Sequence, residues 1–337
     1  MALLWIDGFE GYGGTDGIAS SLLAARGYGN TGGSYYIGIG NKIGYCLYFN
    51  VGQSNVLITP ALTTDSTFIF GCAVYFGSSN YINLGMYDDG TYGMNVTFQP
   101  GTPATVTVRL GNSTIASDSS FSTMPKWHYI EMKVFCHASS GSVEVRIDNK
   151  TIISITGINT KAGAHDYHNK LNFNAATNTY VDDFYVCDGS GSTCNDFQGI
   201  CKVVGLLPSG DTDTVQWTPS AESTHYSLVD DNPANGDTDY VYTSTQTLMD
   251  LYDYPHLIGT GTIKGLQLNT QARLSAGTSI ILQTPIISNG TTEIGPDTTL
   301  TSASYADYRH ISTTDPNTSS AWTIDGLNAA QIGIKAI

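Results

Sequence analysis

The sequence predicts an all-β protein, two β-sandwich (jelly-roll-like) domains in tandem, and three observations carry that prediction. Charged residues make up only 13% of the chain, against roughly 25% in ordinary soluble domains. The polar share falls instead on residues such as Gly (37) and Tyr (21), with Thr, Ser and Asn, a mixture that suits pleated strands and tight turns. Apolar residues recur with period two over many short runs, while stretches of helical period are almost absent.

Taken in order, the first run, Met1-Ala2-Leu3-Leu4-Trp5-Ile6, meets Asp7 and then Glu10. It has no basic leader and reads as a first strand, not a signal peptide. One short helix is predicted over 17–25. The Gly-rich stretch 27–40 has no Walker lysine and opens no helix, so it reads as loop and strand turns instead of a phosphate cradle. Residues 67–76 and 81–87 read as paired strands, and 105–110 pairs with 113–117 across a Gly111-Asn112 turn. Trp127–Phe135 alternates, with His128, Ile130, Met132 and Val134 facing one way and Trp127, Tyr129, Glu131, Lys133 and Phe135 the other. After a turn at 139–142, Val143, Val145 and Ile147 point inward and Glu144, Arg146 and Asp148 outward. Residues 149–150 then turn the chain into strand 151–155, completing a meander. A last alternating strand, 180–188, ends the first domain, 1–202. A linker, 203–210, leads to the second domain, 211–337. That domain is acidic and turn-rich over 211–239, with strands at 263–273, 278–285, 302–312 and 331–337.

Charge excludes several partners. With 14 Lys+Arg against 29 Asp+Glu, the formal charge is −15. There is no cationic run to neutralise phosphates, so neither nucleic acid nor an anionic membrane surface is an expected partner. No apolar run approaches the ~18 residues of a membrane span.

Six cysteines stand at 46, 72, 136, 187, 194 and 201. Cys46, Cys72 and Cys136 lie in apolar strands and read as buried thiols. Cys187, Cys194 and Cys201, spaced by sevens near turns, are candidates for a disulfide. No Cys-x-x-Cys pair suggests zinc.

Retaining glycan hydrolysis needs two carboxylates about 5–5.5 Å apart. The nearest pattern, Glu144-x-Arg146-x-Asp148, has an arginine in the middle and its ends ~13 Å apart at strand rise. It reads as a solvent-facing charge ladder. No Gly-x-Ser-x-Gly elbow occurs. No enzymatic activity, catalytic residue or cofactor is expected. His165 and His168, three apart, fall in a loop. The most metal-like segment holds Asp230, Asp231, Asn232, Asp237 and Asp239, whose oxygens could wrap Ca²⁺, although the EF-hand register is missing; an Asx-turn loop is the alternative. Tyr35, Tyr36, Tyr45, Tyr48, Tyr87 and Tyr92 offer faces that could stack on sugars, though Tyr is also an ordinary strand residue.

Two resemblances add to this reading. Gly8-Phe9-Glu10-Gly11, the meander from Trp127 to Ile155 and Val181-Asp182-Asp183-Phe184-Tyr185-Val186 resemble a concanavalin A-like (laminin G-type) jelly roll. The second domain is similar to a β-sandwich module that follows such jelly rolls in tailed-bacteriophage particle proteins. The match runs through Trp217-Thr-Pro-Ser-Ala, His225-Tyr-Ser-Leu-Val-Asp-Asp231 and the segment from Trp322 to Lys335. The resemblance implies a structural protein on the virion surface, such as a neck, collar, minor tail or capsid-decoration subunit. Such a protein would be made in the host bacterial cytoplasm and would pack against other virion proteins as a homo-oligomer. The alternative it implies is an adhesin whose jelly roll binds host surface polysaccharide.

Overall fold

The structure is a computed structural model that describes residues 2–13, 20–30, 35–39, 44–49, 55–75, 81–121, 126–176 and 178–337. It divides into two compact units, Met1–Val204 and Gly205–Ile337. The expected linker 203–210 straddles that division: Val203 still donates its backbone N–H to Asp183 Oδ1 at 2.8 Å, while Gly210 already opens a strand of the second unit.

The first unit has fifteen strands among the described residues. They are β1 (Leu3–Asp7), β2 (Gly29–Asn30), β3 (Tyr35–Ile39), β4 (Tyr45–Phe49) and β5 (Asn55–Ile58). Next come β6 (Thr67–Tyr75), β7 (Ile82–Asp88), β8 (Thr91–Gln99), β9 (Thr105–Leu110) and β10 (Ser113–Asp118). The last five are β11 (Trp127–Phe135), β12 (Gly141–Ile147), β13 (Lys150–Ile158), β14 (Lys170–Ala175) and β15 (Thr179–Asp188). One sheet runs β13-β12-β11-β6-β15-β4-β3 with β1 added on β15, and the other runs β10-β9-β8-β7-β14-β5-β2. All the pairings are antiparallel. Helix α1 spans Ser20–Ala25; residues 17–19 of the expected helix, and Phe76 of the expected strand, lie outside the described residues.

Alternation explains why these segments pair this way. Trp5, Phe68, Phe70, Ile130 and Val143 from the eight-stranded sheet share one buried cluster with Leu84, Val96, Val106, Leu171 and Phe173 from the seven-stranded sheet. Strand β12 alternates strictly, with Val143, Val145 and Ile147 buried, as the sequence predicts. Strand β11 departs from its expected pattern, because Tyr129 and Glu131 on the outward side are buried as well, Glu131 to 1% exposure. The cause is a strap, residues 189–203, laid over that face. Glu131 Oε1 accepts from the Tyr185 hydroxyl at 2.5 Å and from the Gly199 N–H at 2.9 Å. The same hydroxyl accepts from the Gln198 N–H, and Arg146 stacks over Phe197 at 4.0 Å.

A second buried carboxylate ties the amino-terminal segment down. Asp7 accepts from the Phe9 N–H at 2.8 Å, the Tyr12 hydroxyl at 2.5 Å and the Tyr28 hydroxyl at 2.9 Å. Burial, with the Asp7 charge beside them, pushes both phenols well above the ordinary tyrosine range.

The second unit is also all-β. It adds β16 (Gly210–Val215), β17 (Thr218–Pro219), β18 (Val241–Tyr242), β19 (Met249–Asp253), β20 (Leu266–Ala272) and β21 (Ile280–Gln283). Strands β22 (Pro285–Ser288), β23 (Thr291–Ile294), β24 (Thr298–Leu300), β25 (Ala306–Ser312) and β26 (Gln331–Ala336) complete it. The main sheet runs β16-β19-β26-β21-β24, with β22 and β23 branching from β26. The β20–β25 ladder packs against it through Leu266, Leu268, Ile286, Ile332 and the buried Trp322. Asp250, fully buried, accepts from the Gln216 and Trp217 N–H groups at 2.6 and 2.7 Å and lies 2.8 Å from His225 Nδ1. The segment expected to be acidic and turn-rich therefore starts as a strand, pinned by a carboxylate 34 residues downstream of Gln216.

Two substitutions test this account by chemical denaturation. Tyr185→Phe leaves the Glu131 carboxylate short of a donor, costs about 1–3 kcal/mol and speeds protease cleavage within 189–203. Trp322→Ala costs about 3–5 kcal/mol in the second unit and leaves the transition of the first unchanged.

A cleft on the outer face of the seven-stranded sheet

Whatever alternation does not send into the core, it places on the outer faces of the sheets. In the seven-stranded sheet the register aligns these outward residues into rows. One row crosses four strands as Asn174, Asn83, Thr97 and Thr107, and the next as Asn172, Gly85, Asn95 and Arg109. A bulge between Gly85 and Tyr87 brings Tyr87 opposite Tyr92, so both phenols come to the same face. These rows border an open cleft of ≈ 350 Å³ whose walls also include Tyr81, Gly111 and Asn112, a size at the lower end for small-ligand sites.

The cleft wall is a connected polar network. Tyr92 donates to Asn83 Oδ1 in a short hydrogen bond. Asn83 Nδ2 donates to Asn95 Oδ1 at 3.0 Å and to Thr97 Oγ1 at 2.8 Å. Arg109 reaches Thr97 Oγ1 at 3.0 Å, and Asn95 Nδ2 donates to the Gly111 carbonyl at 2.9 Å. Gly85 makes this possible, since a Cβ there would come within 2.6 Å of the Tyr92 ring. Two acceptors are left over: the Oδ1 atoms of Asn172 and Asn174 are buried with no donor among the described residues. Burial, reinforced by Tyr87 alongside, pushes the Tyr92 phenol up to about 12.

One end of the cleft is braced by the 159–169 loop. His165 Nδ1 lies 2.5 Å from Asp88 Oδ1 and 3.5 Å from Asp89 Oδ2, at the β7–β8 turn. Asn169 grips Asp89 from the other side at 2.6 Å. His168 turns away from His165: its Nε2 meets the Thr160 carbonyl at 3.1 Å and its ring covers Gly93. Burial lowers its pKa, so it stays neutral at pH 7. The two histidines therefore share no ligand position. Asp88, Asp89 and His165 form the metal-compatible cluster found among the described residues.

Other sequence-predicted residues sit elsewhere. In the candidate Ca²⁺ segment Asp231 and Asp239 lie close enough to interact, and Asp237 is turned to other partners. Asp237 is held by Arg273 and the Tyr305 hydroxyl, both at 2.8 Å, and the Asn235 amide stands between Asp231 and Asp239 at 2.7 and 2.6 Å. Burial, with Asp239 close by, raises the Asp231 pKa. Asp230 and Asn232 join no three-carboxylate group among the described residues. Cys187, Cys194 and Cys201 are not joined in a disulfide, and Cys46, Cys72 and Cys136 are buried. Burial pushes the Cys187 thiol well up, with Cys194 close enough to add to the effect. In the Glu144–Arg146–Asp148 ladder, expected to face solvent, Arg146 pairs with Glu144 at 2.7 Å and both are part-buried, while Asp148 lies 2.8 Å from the buried His128 Nδ1.

Of the six tyrosines singled out from the sequence, Tyr87 and Tyr92 reach the cleft. Tyr35 is buried. Tyr36 and Tyr48 belong to a row on the other sheet that continues through Tyr180, Tyr75 and Trp127. There the rings pack on one another, Tyr48 on Tyr180 at 4.7 Å and Tyr180 against Tyr75 edge-on. Asn83, Asn95, Arg109, Asn172 and Asn174 carry no motif. Their only sequence signal is polarity at alternate positions of a strand.

No protein-family model matches this chain, and no curated protein does. Solved structures resemble it in part. A protein of unknown function with a galectin-like fold from Bacillus subtilis aligns over 56% of this chain and 96% of its own, at 12% identity and TM-score 0.39. An alginate lyase aligns over 56% and 96%, at 11% identity and TM-score 0.37. A carbohydrate binding module from Bacillus subtilis aligns over 48% and 96%, at 12% identity and TM-score 0.33. At these identities the likeness is one of fold, and none of the three transfers a ligand or activity to this chain.

The site makes a spectroscopic prediction. In an alkaline absorbance titration, the difference between the native protein and Tyr92→Phe reports one phenol ionising near pH 12. Ionisation of that phenol with the bulk tyrosines near 10 would show that the cleft wall is not closed as described.

Proposed function

We propose that this chain is a glycan-binding protein whose ligand lies across the outer face of the seven-stranded sheet. The observation that carries the reading is the composition of the cleft wall: amides, phenols, a threonine hydroxyl and one guanidinium, with the buried Asn172 and Asn174 oxygens still lacking donors. Amides both donate and accept hydrogen bonds, which matches the hydroxyl pairs of a pyranose ring. Tyr87, partly exposed beside Tyr92 at a ring separation of 5.2 Å, supplies an apolar face for the sugar's C–H groups. Strand register holds these groups on a rigid sheet, so little order is lost on binding.

Binding without cleavage fits the same wall. Among the described residues the lining holds no carboxylate to act as acid or nucleophile. A phenol held near 12 is a poor base at neutral pH. A place on a bacteriophage particle rests on the sequence resemblance alone; the virion-subunit reading has no support from the cleft, whereas the adhesin reading shares its chemistry.

A glycan array followed by calorimetry tests this. Saturable binding is expected, with Tyr87→Ala and Asn172→Ala each weakening it roughly tenfold, from about 1–1.5 kcal/mol per lost contact. No new reducing ends or unsaturated products are expected from the bound polysaccharide. An array without any saturable hit removes the function, and full affinity in both variants removes the site.

A further inference from the structure

The cleft carries charge of one sign. Arg109 lies in its wall, no carboxylate does among the described residues, and the chain as a whole has a formal charge of −15. One Arg109 N–H reaches Thr97 at 3.0 Å, and no ion pair to Arg109 exists among the described residues. Four other arginines and lysines of this protein are matched: Arg146 with Glu144 at 2.7 Å, Arg273 with Asp237 at 2.8 Å, Lys133 with Asp196 at 3.1 Å and Lys161 with Asp166 at 2.8 Å. One row beyond Arg109, on the same face, Lys170 stands opposite Tyr87. Asp88 and Asp89, at the β7–β8 turn, are turned to His165 and Asn169.

An unmatched guanidinium in a cleft without acids, on a strongly acidic protein, is placed to meet an anion. We infer that the glycan bound on this face carries carboxylates, as a polyuronate does, and that Arg109 holds one of them. The inference rests on the glycan-binding reading above and names its ligand class. A guanidinium presents its N–H donors as a planar fork that matches the two oxygens of a carboxylate. The Thr97 contact fixes the side chain along the sheet. Asn172 and Asn174 line the same wall beside it. Elsewhere the negative surface repels a polyanion, so the attraction is confined to the cleft and gives selectivity for position as well as for charge.

The test compares a galacturonan hexasaccharide with its carboxyl-reduced, neutral counterpart by calorimetry on the full chain at fixed salt. Tighter binding of the acidic probe by about tenfold or more is expected, the effect of one charge-assisted contact. Arg109→Met should abolish that difference, and Arg109→Lys should restore part of it. Lys133→Met, on the other sheet, should leave it intact, and melting temperatures of all three variants check that they are folded. If Arg109→Met does not fold, the two probes on the native protein still decide. Equal or tighter binding of the neutral probe overturns the anionic class and leaves the glycan reading standing. Binding of neither probe, with an empty array, removes both. A sulfated hexasaccharide serves as a third arm: its binding more tightly than the carboxylated probe overturns the assignment to a carboxylate.

Discussion

The packing of two antiparallel sheets across one apolar core is the constraint on which the rest of the first unit depends. Each strand has only two faces, so residues committed to the core dictate what their neighbours must do. In β7, burying Ile82, Leu84 and Met86 puts Asn83, Gly85 and Tyr87 outside. In β14, burying Leu171 and Phe173 does the same for Asn172 and Asn174. The polar wall of the cleft is thus the reverse side of the hydrophobic core. A slip of one residue in any of these strands would turn the site into the interior.

Around that core, a few carboxylates act as fasteners for chain without regular structure. Asp7 gathers one backbone N–H and two phenols, and Glu131 gathers a phenol and a strap N–H. Asp250 gathers two backbone N–H groups and an imidazole in the second unit. Each is nearly or wholly buried, where an unpaired charge is expensive and a charge-assisted hydrogen bond is strong. With so few lysines and arginines in the chain, the partners are mostly neutral donors. In the segment holding Asp237 the carboxylates likewise find Arg273, Tyr305 and the Asn235 amide.

The cleft combines order and incompleteness. Tyr92, Asn83, Asn95, Thr97 and Arg109 hold each other in a chain of hydrogen bonds, and Gly85 leaves the room in which the Tyr92 ring lies. Asn172 and Asn174 retain acceptors that the protein does not satisfy, and Arg109 retains donors. Fully paired polar networks rigidify a structure, whereas leftover groups on a rigid wall are what a ligand uses.

The sequence by itself determined the class of fold and much of its detail. Period two in Trp127–Phe135 and in β12 was enough to set which residues face inward, because local geometry alone decides that. Strands β8 and β14 were not legible, since Gly93, Asn95, Asn172 and Asn174 interrupt the apolar signal where the site lies. Nor was the burial of Tyr129 and Glu131, which depends on a strap arriving from 68 residues away in sequence. Only the tertiary structure decided that Asn172, Gly85, Asn95 and Arg109 stand in one row. Register between strands distant in sequence is set by the whole core, and no local pattern along the chain encodes it.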